Sequence, residues 1–151
     1  MSRLNDRTIL VPAVFRRTES DLMCPLRAQH HSTCLAAKTL ILACSGASED
    51  GCVADLTARA LAAGGVGKMG CLTRLSAQDD GMDNEIRSAE RVVAIDGCPG
   101  DCVKKTLEAA GIDGFEHVRL TELEVDQRGS ATVEQRVAMV VHHLTQRLRD
   151  E

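Results

Sequence analysis

Seven cysteines in a chain of 151 residues are the part of this sequence richest in chemistry, and an odd number cannot all pair within one molecule. In a chain with no convincing export signal, clustered thiols more often serve metal binding or redox chemistry than disulfides. Four of them stand where a fold could gather them. Cys44 closes the apolar run Thr39-Leu-Ile-Leu-Ala, and Cys71 ends the segment Gly67-Lys-Met-Gly. Cys98 follows the run Arg91-Val-Val-Ala-Ile-Asp96 by two residues, and Cys102 follows Cys98 across Pro99-Gly100. Soft thiolates select zinc over hard cations, and a closed zinc site takes four ligands in a tetrahedron. The competing reading is that Cys44 and Cys71 are small buried hydrophobes, as free cysteines often are.

Whether those cysteines meet depends on the elements that carry them. Two continuous apolar runs, Thr39 to Cys44 and Arg91 to Asp96, read as strands buried on both faces, each leading into a loop. A helix is expected between Gly51 and the Gly64-Gly65 pair, with Val53, Leu56, Ala60 and Leu61 on its inner face. A weaker unit follows, with a short strand over Gly67 to Leu72 and a short helix over Met82 to Ala89. The turn Gly97-Cys-Pro-Gly100 leads into a helix from Asp101 to Ala110, stopped by Gly111. Glu116 to Leu120 reads as a last strand. The final helix carries Val133, Val137, Val140, Leu144 and Leu148 at helical spacing.

Strands alternating with helices imply right-handed crossovers and a parallel sheet. The expected fold is α/β: a three-layer domain with a small, mostly parallel sheet of about four strands and helices on both faces. Residues 39–151 would form it, and residues 1–38, which lack periodicity, read as an irregular extension. In such a sheet the carboxyl ends of the strands line one crevice, where ligands bind. Cys44, Cys71 and Cys98 belong to those ends, and Cys102 falls in the first turn of the next helix. Helix starts after Cys44 and Cys98 would lower thiol pKa values, while Asp96 and Asp101 oppose that effect.

Composition excludes several functions. A formal net charge of -4 gives no phosphate-tracking surface, and with only Phe15 and Phe115 as aromatics there are no stacking platforms, so nucleic acid is not an expected partner. The apolar runs fall far short of the roughly 20 residues of a membrane helix. A cytoplasmic location, with a metal ion as partner, is expected.

Several stretches resemble the DGC domain family. Asp96-Gly97-Cys98-Pro99 with Cys102 is similar to its signature, Cys44-Ser-Gly-Ala-Ser48 to its opening loop, Lys68-Met-Gly-Cys-Leu72 to its methionine and cysteine segment, and Leu120-Thr-Glu-Leu123 to its closing motif. The likeness runs from about Thr39 to Val125. It implies zinc bound by Cys44, Cys71, Cys98 and Cys102, and it brings no reaction with it. Some members carry another cysteine where Ala47 stands, so the ligand set varies among relatives; Cys52 is out of register to replace it.

Other residues have the chemistry of ligands without the pattern. Cys24, His30, His31 and Cys34 could hold a second metal but lack finger spacing. His142 and His143 flank an apolar stripe and read as surface residues. The Ser45 to Gly51 loop lacks the lysine of a phosphate-binding loop. His117 starts the last strand with no evident carboxylate to orient it, so no Cys-His pair is expected. The expected function is binding of one zinc ion in a structural, carrier or sensing role. The alternative is a thiol redox or transfer enzyme with Cys98 as nucleophile and Cys102 as resolving thiol.

Overall fold

A computed structural model of the chain describes residues 39–44, 46–124, 129 and 131–150. The extension read for residues 1–38, with Cys24, His30, His31 and Cys34, lies outside the described residues.

The two apolar runs form the central strands. In β1 (Thr39–Ala43) and β3 (Arg91–Asp96) every residue after the first is buried. They pair in parallel from Thr39↔Arg91 to Ala43↔Ile95. β2 (Lys68–Met69) adds to the outer side of β1 and β4 (Glu116–Arg119) to the outer side of β3, so the order is β2-β1-β3-β4 and every pair is parallel. The chain runs outward from β1 to β2, then crosses back over β1 to β3. The direction of winding therefore reverses between β1 and β3, which in an open α/β sheet is the switch point where a crevice opens.

Helices cover both faces. α1 (Glu49–Ala63) starts two residues earlier than the glycine punctuation predicts, because the Ser48 side chain accepts the Gly51 N–H at 3.1 Å and caps it. It packs on β1, β3 and α5 (Val133–Asp150). The other layer holds α2 (Leu72–Ser76), α3 (Asp80–Ser88) and α4 (Cys102–Ala109), with α4 on β3 and α2 against both α3 and α4. A 3-10 turn, Leu120–Glu122, follows β4.

The core is aliphatic, with Ile41, Val53, Leu61, Val93, Ile95 and Leu107 inaccessible to solvent. Two departures from expectation have steric or electrostatic causes. β2 shrinks to two residues between Gly67 and Gly70, where a Cβ would stand 2.7 Å from the Thr39 oxygen and 2.8 Å from Leu42 Cδ2 respectively. In α5, Val137, Val140 and Leu144 are buried as expected, but so is Arg136, at 1% exposure. Its guanidinium bonds Glu49 at 2.8 Å and Asp50 at 2.6 Å, which fastens α5 to the first turn of α1.

Candidate metal centre

The loops after β1 and β3 both close on the first turn of α1 because glycine lets the backbones touch. A Cβ on Gly97 would stand 2.3 Å from the Asp50 oxygen and 2.6 Å from the Gly51 nitrogen. One on Gly46 would stand 2.2 Å from the Cys52 nitrogen, and one on Gly51 would stand 2.4 Å from the Gly46 Cα. Three glycines thus interlock the two loops with the first turn of α1.

Cys44 sits at the top of this junction, 8% exposed, with its N–H donated to the Ile95 oxygen at 3.1 Å as the last rung between the strands. Its Sγ accepts the Gly97 N–H at 3.3 Å. Burial pushes its thiol pKa up, and the nearby charges of Asp96 and Cys102 add to that; the backbone N–H groups of Gly97 and Gly46 pull it down.

Cys98 is half-buried in the turn after β3 and Cys102 is exposed at the first position of α4. Their Sγ atoms lie 3.3 Å and 3.7 Å from where a Cβ on Gly100 would stand, so both face one spot beside that glycine. Cys71 is exposed and occupies the cap position of α2, just beyond β2, which pairs with β1. The fold therefore brings Cys44, Cys98 and Cys102 to the switch point and sets Cys71 at its flank. Among the described residues no three cysteine sulfurs lie within 4.8 Å of one another. Cys52, half-buried in the first turns of α1, lies with its backbone against Gly46.

The turn that carries Cys98 and Cys102 is anchored by carboxylates. Asp101 stands where a helix cap would, but at φ 51° its carboxylate makes no cap; it accepts two bonds from Arg119 at 2.7 Å and 2.6 Å. Arg119 holds that carboxyl below its ordinary range, and the carboxylate raises the Arg119 pKa in return. Arg119 also pairs with Glu122. The free amides of α4 turn to Asp96 instead. Asp96, 1% exposed, accepts Val103 N–H at 2.9 Å and Lys104 N–H at 3.1 Å. His117 Nε2 lies 3.0 Å from the same carboxylate.

The expectation that His117 lacks a carboxylate is thus corrected: the partner comes from β3, through the register Ala94↔His117 that puts His117 on the face bearing Asp96. Donor atoms of Asp96, Asp101 and His117 lie within 4.8 Å of one another, a spacing that would suit a cation. Every one of these carboxylate oxygens also accepts a hydrogen bond from an α4 amide or from Arg119. We read the trio as the frame of the cysteine turn.

The sequence offered a faint signal for this frame, the alternation His117-Val-Arg119 opposite a strand that ends in Asp96. Nothing local marked Arg136. His142 is exposed and His143 half-buried on α5. Among the described residues no helix is long and apolar enough to cross a membrane.

No curated protein and no solved structure matches the chain. Residues 40–144, well over half of it and inclusive of all four predicted ligands, match the family model described as DGC domain. On that match, with the Asp96-Gly97-Cys98 segment at its switch point, the chain belongs to the DGC domain family.

Proposed function

We propose that this protein binds one zinc ion through Cys44, Cys71, Cys98 and Cys102 at the carboxyl-terminal edge of its sheet, in a structural, carrier or sensing role. The observation that supports this reading is the gathering of cysteines at the carboxyl ends of β1 and β3: Cys44 under the Gly97 amide, and Cys98 and Cys102 about Gly100 in the turn that follows. The donor set suits the ion, since thiolates favour zinc over oxygen-seeking cations. A zinc ion here would supply a cross-link between the β1 and β3 loops. Cys71, exposed at the start of α2 beside β1, would be the fourth ligand. The Gly97 and Gly46 amides offset negative charge on the Cys44 sulfur, while the burial that keeps the Cys44 thiol protonated means that binding a metal releases a proton. A reducing, cytoplasmic setting accords with thiols that remain free.

The test is elemental analysis of untagged chain prepared without chelator, beside Cys98→Ala. About one zinc per chain, lost in the variant, is expected. No stoichiometric metal in either would end the zinc reading. The two thiols about Gly100 also favour a second reading, in which Cys98 attacks a disulfide or electrophile and Cys102 resolves it. That reading requires iodoacetamide to label Cys98 much faster than a free thiol at neutral pH, and equal rates would remove it.

A further inference from the structure

The turn that presents Cys98 and Cys102 is held from a strand that carries neither. β3 and β4 pair with Ala94 opposite His117 and Asp96 opposite Arg119. Residues two apart on a strand share a face, so His117 and Arg119 lie on the same side as Asp96. From there His117 Nε2 reaches Asp96 at 3.0 Å, and Arg119 grips Asp101 with two nitrogens at 2.7 Å and 2.6 Å. Asp96 and Asp101 bracket the segment 97–100, so both ends of the turn are fastened to β4.

We infer that His117 and Arg119 are positioning residues for the Cys98–Cys102 pair, setting the spacing of the two thiols through Asp96 and Asp101 rather than by contact with sulfur. Asp101 is held at φ 51°, a left-handed state that an L-residue tends to leave when released, and the residue it leads into is Cys102. Asp96 takes the Val103 and Lys104 amides, and so orients the helical turn in which Cys102 stands. Slack at either carboxylate becomes displacement of Cys102 relative to Cys98. Gly97 is held against the first turn of α1, but from Cys98 onward the turn's own backbone bond is the Asp101 N–H to the Cys98 oxygen at 3.3 Å.

This deepens the zinc reading and rests on it for only one of two readouts. The first is zinc affinity of the full chain, by competition with a chromophoric chelator. The second is capture of phenylarsine oxide, whose arsenic forms two As–S bonds with thiols in mutual reach and releases its oxygen as water with their two protons. Capture is read as protection of the peptide bearing Cys98 and Cys102 from alkylation. His117→Leu and Arg119→Lys, which keeps charge but not the two-pronged grip, should each weaken both readouts about tenfold, the scale of lost supporting shells. His117→Gln, which returns an N–H donor at similar reach, should recover most of the loss, measured below every variant's melting midpoint. A role in stability alone would lower the midpoint and leave both affinities unchanged, which overturns the inference. So does a Gln variant as weak as the Leu variant, or wild-type chain that captures no arsenical at this pair. Wild-type chain that takes no zinc, yet whose arsenical capture follows the variants, refutes the zinc reading and upholds the positioning role.

Discussion

Replacing Gly97 by alanine tests the interlock of the two loops directly. The added Cβ would stand 2.3 Å from the Asp50 oxygen, 2.4 Å from its carbonyl carbon and 2.6 Å from the Gly51 nitrogen. Close packing leaves no slack, so the α1 first turn and the cysteine turn must part by about 1 Å. The neighbours are backbone atoms, which cannot yield by changing rotamer, and α1 is held in turn by Arg136 on Glu49 and Asp50. Overpacking of this kind costs about 3 kcal/mol. For a domain of this size that lowers the melting midpoint by about 10 °C. Gly100→Ala is the control, because its Cβ would meet only the Cys98 and Cys102 sulfurs, at 3.3 Å and 3.7 Å, both on side chains that can turn aside. It should cost less than about 1 kcal/mol. Thermal denaturation followed by circular dichroism, with metal removed from every sample, reads both. A Gly97→Ala midpoint within about 2 °C of wild type, or an equal fall in Gly100→Ala, would refute the reasoning.

Three further outcomes are expected in the same assay. Arg136→Ala should cost about 2–3 kcal/mol and Arg136→Met clearly less, since methionine restores the buried stem; the figure stays below that of a sealed ion pair because Glu49 is 66% exposed. Thr57→Val should raise stability by about 1 kcal/mol, because the Thr57 hydroxyl is fully buried in α1 with no partner among the described residues and valine has the same shape. Asp79 caps α3 through the Met82 N–H at 2.8 Å, and that bond, followed by Arg74, holds its carboxyl below the ordinary value. A lowered carboxyl stabilises the fold above its unfolded pKa, near pH 4, and ceases to do so as the pH falls through the folded value. Asp79→Ala should therefore melt below wild type at pH 7, with the gap closing as the pH falls through the lowered folded value; a gap undiminished in strong acid would refute the assignment.

What could be read from the sequence follows from how local each signal is. The runs Thr39 to Ala43 and Arg91 to Asp96 announced central strands because parallel strands covered on both faces need apolar residues throughout. From those two strands followed the places of Cys44 and Cys98 at strand carboxyl ends, whereas the switch point needed the strand order, which no local pattern carries. α2 was missed because Leu72–Ser76 is too short to show a period. The cap of α4 was missed for another reason: its acceptor, Asp96, lies across the turn, and the residue at the cap position is in the left-handed region. His117 became meaningful only once the β3–β4 register was known. Arg136 was hidden inside an apolar stripe, since a 3.6-residue pattern cannot tell which polar neighbour of the stripe turns inward to meet acids from α1.

The strand order also dictates when the thiols can come together as the chain is made. Cys44 and the Gly97 amide that meets its sulfur are separated by 53 positions, and β1 lies between β2 and β3. A growing chain that has released β1, α1 and β2 already holds Cys44 and Cys71, yet β1 still lacks the neighbour on its other side. Cys98 and Cys102 then emerge together, and the frame that holds them waits for β4, since Arg119 and His117 come later still. Non-local pairings of this kind form slowly. Synthesis thus passes through a stage in which all four thiols exist and none is yet framed, and the crevice is among the last parts of the fold to be completed.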